Sequence, residues 1–292
     1  MHRRQDIEFT RIVATFLVVW YHCPSESPDI AYSGLIFFVI ASTFFSVREA
    51  SCGEYVTGRR IGRLLTIWLA WYGIYLLISA IQGKFDKRLT DSFGAILLVG
   101  PAIHLWYLPF LAAILLASAT LARVVSRPIL LMLAGGVYAS TMALVDNWRA
   151  ISVELGVPWA QYVHALPAII VGILFVGLRE SELPKRVGLL LFALLATFPA
   201  WHAEGVGVTY FFGVLLATPI LLERNGRLPI DKISGLSKYM LGIYLIHPLV
   251  TRFVRRATDV DGILLAVPVF LISLALVAVL HQRAPRFARL LM

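Results

Sequence analysis

The chain has 292 residues, of which 59% are hydrophobic and 15% charged, and its mean hydropathy is +0.80. Soluble domains hold about 45–50% apolar and about 25% charged residues, so the composition excludes an ordinary soluble domain and points to an integral membrane protein. The net charge of +9 fits basic cytoplasmic loops better than a nucleic-acid surface.

Ten apolar segments follow in chain order, at 7–23, 31–47, 61–81, 103–125, 128–145, 159–178, 185–201, 207–222, 236–253 and 262–280. Most approach the roughly 20 residues with which a helix crosses the hydrocarbon. Lipid offers the backbone no hydrogen-bond partners, so segments of this length must be helices. The expected fold is all-α, a polytopic membrane helix bundle of about ten transmembrane helices. No long polar stretch interrupts the series, so 1–292 is expected to form a single integral-membrane domain with no separate soluble domain. Gly73, Gly135, Gly136 and Gly172 suit close helix contacts. No internal repeat of the kind found in many transporters is visible.

Lys and Arg gather in alternate loops. One set holds Arg3 and Arg4, then Arg48, Arg59, Arg60 and Arg63, then Arg123 and Arg127. It continues with Arg179, Lys185 and Arg186, then Arg224, Arg227, Lys232 and Lys238, then Arg283, Arg286 and Arg289. The other set has only Lys84, Lys87, Arg88, Arg149, Arg252, Arg255 and Arg256. The richer set belongs inside, which places both the N- and the C-terminus in the cytoplasm. No small-residue cleavage site follows the first apolar run, so a secretory signal peptide is not expected there. Cys23 and Cys52 fall on opposite sides of this topology and cannot pair. No Cys/His spacing resembles a zinc site, and no metal is expected.

The first segment, EFTRIVATFLVVWYH, carries Arg11 at one end and His22 at the other. Over that interval an α-helix turns through about 20° beyond three full turns and rises about 16 Å. The two side chains therefore share one face, about half a bilayer apart. Glu8 lies three residues before Arg11 on the same face and can partly neutralise it. A charge in hydrocarbon costs at least about 2.5–3.5 kcal/mol, so such residues usually face a polar interior. Taken singly, Arg11 fits snorkelling to the inner headgroups and His22 fits an interfacial histidine. On one stripe they mark a polar path across the membrane. Arg60 and Arg63, three apart, could equally be ordinary positive-inside charge. Trp106 and Tyr107 suit an interfacial aromatic belt. Tyr244 and His247 share a helix face. His104 and His164 are read as structural, and Glu154, His202 and Glu204 as solvated charge in outer loops.

Acidic-x-x-Arg, ten residues, then His in a first helix resembles the acyltransferase-3 membrane family. Four further segments resemble it in the same order: YSGLIFFVIASTFF, RRIGRLLTIW, HLWYLP and LGIYLIHPLV. Two positions depart from the family pattern. Ala41-Ser42-Thr43 stands where Ser-Gly before an aromatic is usual, and Thr66 where proline is common. The resemblance implies an O-acyltransferase, foremost an O-acetyltransferase, in a bacterial cytoplasmic (inner) membrane. It implies cytoplasmic acyl-CoA, foremost acetyl-CoA, as donor substrate, with no tightly bound cofactor. The implied acceptor is a hydroxyl of an extracytoplasmic or lipid-linked glycan such as exopolysaccharide, capsule or lipopolysaccharide. The partners are thus acyl-CoA, a glycan and the lipid bilayer, without nucleic acid.

On that resemblance His22 is the expected catalytic residue, as general base or as a covalent acyl-histidine. Arg11 is expected to bind the donor or to stabilise charge on the thioester oxygen. Arg60 and Arg63 are expected to hold the CoA phosphates, since guanidinium forks match phosphate. Glu8, Trp106, Tyr244 and His247 are expected to line or support the channel. The competing reading is a multi-pass transporter or flippase, because buried Arg and His also serve solute paths. A non-catalytic membrane scaffold would explain the composition but not the Arg11–His22 stripe.

Overall fold

The computed structural model describes residues 4–24, 27–51, 57–83, 92–124, 127–178, 181–222 and 235–292. Arg3, Cys52, Lys84, Lys87, Arg88, Arg179, Arg224, Arg227 and Lys232 lie outside the described residues, as do the side chains of Arg123 and Arg127. Among the described residues every regular element is a helix.

In chain order these are α1 (Gln5–Tyr21), α2 (Pro28–Ser51), α3 (Thr57–Gln82) and α4 (Phe93–Leu98). A 3₁₀ turn at Ile103–Trp106 leads into α5 (Tyr107–Val124), followed by α6 (Arg127–Ala143), α7 (Val145–Glu154) and α8 (Trp159–Leu178). Then come α9 (Leu183–Leu195), a 3₁₀ turn at Phe198–Ala200, α10 (Gly207–Leu216) and α11 (Thr218–Leu222). A 3₁₀ turn at Gly235–Tyr239 opens α12 (Met240–Ala257), and α13 (Gly262–Arg283) and α14 (Pro285–Leu291) complete the series.

All ten apolar segments are helical, so the polytopic all-α bundle is the fold. Their reach is uneven. Among the described residues five helices are long and apolar enough to cross a membrane, or six if the bent pair α6–α7 is one span. The causes are local. α6 and α7 meet at 78° across Leu144, and a break at Ala217 divides the 207–222 segment into α10 and α11. α1 carries Asp6, Glu8 and Arg11 in its first two turns, which lowers its hydropathy. The short helices α4, α7 and α14 fall between or beyond the apolar runs.

The chain divides into two compact units. One comprises residues 1–41, 178–290 and Met292, the other residues 42–177 and Leu291. In the first, α1 packs on α12 and α13, and α9 packs on α10 and α11. Threonines in α1 fold back onto the helix. Thr10 donates to the Asp6 carbonyl at 2.9 Å and Thr15 to the Arg11 carbonyl at 2.8 Å, which satisfies two hydroxyls without a partner helix. Arg4 pairs with Asp6 at 2.5 Å and donates to the Pro219 carbonyl. In the second unit α3 packs on α5, and the Ile103–Trp106 turn is set against both. Large apolar side chains stay exposed along outward faces, such as Leu69, Leu77 and Ile81 on α3 and Leu264, Leu271 and Val279 on α13. Such faces suit lipid, which needs no polar covering.

The glycine expectations are corrected at Gly73 and Gly136, whereas Gly172 is buried in α8. Among the described residues nothing lies within 4 Å of a Cβ built at Gly73 or Gly136, and only a Leu174 methyl, at 3.9 Å, approaches one at Gly135. Gly73 and Gly136 sit on exposed faces. Tight approaches occur at other glycines, among them Gly177 against the Leu131 side chain in the second unit and Gly34 and Gly213 in the first. A Cβ at Gly34 would run into the Ala14 carbonyl, and one at Gly213 would lie 2.5 Å from the Ile36 side chain. Because backbone cannot step aside as a side chain can, Gly34→Ala is expected to destabilise the protein by about 1–3 kcal/mol. Thermal unfolding in detergent, followed by tryptophan fluorescence, measures this. An unchanged midpoint would show that α1 and α2 can part without cost.

Candidate functional site

α1 is one unbroken helix from Gln5 to Tyr21, with His22 as its C-cap. Arg11 and His22 thus stand about 16 Å apart along its axis, on one face. The Arg11 guanidinium reaches back one turn, and its Nη1 donates to both Glu8 carboxylate oxygens at 3.4 Å. Helical side chains lean toward the N-terminus, so this direction is the natural one, and it points away from His22. The Glu8 carboxylate is nearly buried, and its Oε2 also accepts from the hydroxyl of Ser237, a residue of the turn that opens α12. Glu8 therefore joins two helices at this end while half-exposed Arg11 keeps donors available for another partner.

The far end of the same helix pair holds the second cluster. The half-buried His22 ring lies between Tyr21, at 5.4 Å between centroids, and His247 of α12, at 4.9 Å. His247 has no exposure, and its ring is 6.0 Å from that of Tyr244. Beyond His22 the chain is pinned by its backbone, the Pro24 carbonyl accepting from the Gly262 amide at 2.6 Å. Gly262 adopts φ +63°, a left-handed conformation that glycine takes without a steric penalty.

α12 contains Pro248, which has no N–H to give the Tyr244 carbonyl one turn earlier. His247 supplies the missing donor, with Nδ1 2.7 Å from that carbonyl and 3.3 Å from the one at Ile243. The Thr251 hydroxyl donates to the His247 carbonyl at 2.8 Å.

The remaining expected residues belong to the second unit. Arg60 is exposed and pairs with Glu49 of α2 at 2.5 Å, and Arg63 is exposed on the same turn of α3. Trp106 is buried in its 3₁₀ turn, with the Phe110 ring 5.4 Å and the Tyr162 ring 5.8 Å away. His104 is buried against Tyr75, and His164 faces Trp148, as residues of an aromatic core do. Among the described residues no three His, Cys, Asp or Glu side chains are grouped to hold a metal ion.

Sequence reasoning placed Glu8, Arg11 and His22 on one stripe, and they are there. It placed Tyr244 and His247 on one face and expected them to line or support the channel, without pairing His247 with His22. It missed Ser237, which carries no motif. The role of Pro248 was legible in principle: a proline within a helix frees a definite carbonyl, and the preceding histidine is a donor within reach.

The sequence profile of an acyltransferase domain matches residues 4–282, nearly the whole chain. No curated protein and no solved structure matches it.

Proposed function

The chain belongs to the acyltransferase-3 family, and from that premise we propose that it transfers an acyl group from cytoplasmic acyl-CoA to a glycan hydroxyl. It is a multi-pass membrane acyltransferase. Acetyl is the proposed group, and the bacterial inner membrane the proposed location. The acceptor is a sugar of a surface polysaccharide, lipid-linked or exported. The observation that carries the reading is the pairing on α1 of a half-exposed arginine with a histidine about 16 Å further along the same face.

The chemistry divides between the two ends. The donor is a phosphate-rich nucleotide with a long, thin pantetheine arm. Its charged part belongs with cations, and only the arm needs to cross apolar surroundings. Arg11 supports the donor-binding role better than contact with the thioester oxygen, because its guanidinium turns toward Glu8 and away from His22. Arg60 and Arg63, at the start of α3, are proposed to hold phosphates, with Glu49 keeping Arg60 extended between uses.

At His22 a ring nitrogen takes the proton of the sugar hydroxyl. The oxygen attacks the thioester carbonyl carbon, a C–O bond forms, and the C–S bond breaks. The CoA sulfur leaves with the electron pair and receives the proton from the imidazolium. Histidine suits this exchange because it ordinarily titrates near neutral pH. The test is to give inside-out membrane vesicles labelled acetyl-CoA and recover the glycan. Label in an alkali-labile ester supports the reading. Movement of an unmodified solute, with no label in glycan, overturns it in favour of a transporter.

Arg60→Ala combined with Arg63→Ala is expected to raise KM for acetyl-CoA by about 10-fold while kcat falls less, the pattern of lost ground-state binding. Steady-state kinetics over a range of donor concentrations checks this. A change confined to the acceptor KM would remove both arginines from the donor.

A further inference from the structure

We propose that His247 is the positioning residue for His22: its Nε2 accepts the ring N–H of His22 and so keeps the other His22 nitrogen in the lone-pair form that takes the acceptor's proton. The inference rests on the reading of His22 as the base.

It begins with the backbone. Residue 248 of an α-helix would normally donate to the carbonyl of residue 244, and Pro248 has no proton to give. His247 Nδ1 stands 2.7 Å from that carbonyl. A carbonyl only accepts, so Nδ1 must carry the proton. A neutral imidazole protonated on Nδ1 has its lone pair on Nε2. The tautomer of a wholly buried ring is thus set by the proline beside it.

The other partner is at hand. The rings of His22 and His247 are 4.9 Å apart between centroids and tilted by 44°. Each ring nitrogen stands about one ångström from its own centroid, so nitrogens turned toward each other across this gap reach hydrogen-bond distance. Catalytic hydrogen bonds often tighten only once substrate is bound. The series runs from the Tyr244 carbonyl through His247 to His22. It resembles the way a carboxylate orients the histidine of a serine protease. Here the orienting group is neutral, which avoids placing a second charge in an apolar bundle. The Pro24 carbonyl on the Gly262 amide holds the chain just past His22, which limits how far its ring can drift.

The test compares His247→Phe with His247→Gln in the purified full chain in nanodiscs, with acetyl-CoA as the donor probe. Phenylalanine fills the space but cannot accept a hydrogen bond, whereas the glutamine oxygen can. His247→Phe is expected to lower kcat by about 10–100-fold with the acetyl-CoA KM within about twofold, and His247→Gln to recover most of that loss. A second measurement is independent of turnover. In ¹⁵N-histidine NMR, His247 should show a protonated Nδ1. His247→Phe should move the ring-nitrogen signals of His22, and so should Pro248→Ala, which returns an N–H to the Tyr244 carbonyl. Equal losses in the Phe and Gln variants, a loss confined to KM, or His22 signals unmoved by His247→Phe would each overturn the proposal. If the unmutated protein transfers no acetyl group, the donor reading fails, and the NMR comparison alone decides the role of His247.

Discussion

Replacing His22 with alanine is expected to cut acyl transfer by about 10²–10⁴-fold while the protein still inserts and folds. The size is that of losing a general base, the role proposed for His22, with no neighbour to replace it. His247 is near enough to be suspected as a substitute, but its Nδ1 is committed to the Tyr244 carbonyl and its ring has no exposure from which to meet a sugar. Folding should survive, because His22 is the C-cap of α1 and its backbone amide bonds to carbonyls of the same helix. The measurement is label transfer from acetyl-CoA to glycan, with insertion and thermal stability followed in parallel. Turnover near that of the unmutated protein would remove His22 from the chemistry. A protein that no longer folds would make His22 a packing residue.

Arg11→Lys should be nearly as damaging, although it keeps the charge. A lysine at this position can still pair with Glu8, and Glu8 keeps Ser237 in either case. Insertion and stability are therefore expected to stay close to normal. What lysine lacks is the planar fork that meets phosphate through two parallel bonds. Charge-assisted hydrogen bonds contribute about 1.5–3 kcal/mol each. Losing one or two lowers kcat/KM for acetyl-CoA by about 10²-fold, mostly through KM. Full activity in Arg11→Lys would assign Arg11 to charge balance alone. Failure to accumulate in the membrane would assign it to structure.

Much of the bundle was legible because hydropathy and helix period act locally. The ten apolar runs are all helical, and the Glu8–Arg11 contact follows from a spacing of three on α1. The breaks were harder to see. Nothing in a run of apolar residues announces that the chain turns at Ala217, or that α6 and α7 meet at 78° across Leu144. The glycines misled for a related reason. A missing side chain permits close approach but does not say which face of the helix meets a neighbour, so Gly73 and Gly136 are exposed while glycines not singled out, such as Gly34 and Gly177, take tight contacts. The meeting of His22 with His247, and of Glu8 with Ser237, depends on how α1 and α12 lie together. Each half of these pairs was visible, but their adjacency belongs to packing that no local pattern encodes.

Gly34 sets its backbone against the Ala14 carbonyl, on the stretch of α1 between Arg11 and His22. A helix touching its neighbour backbone to backbone cannot ratchet along it by a turn, because the next side chain would strike that carbonyl. α1 then works as a ruler. Its two marks, Arg11 and His22, the proposed anchoring cation and base, stand about 16 Å apart along the helix. If no protein element carries the acyl group over that interval, the donor must measure it with its own flexible arm. Selectivity then extends to length as well as charge. If Arg11 holds the donor phosphates as proposed, a donor with a shorter arm would dock there and hold its thioester out of reach of His22.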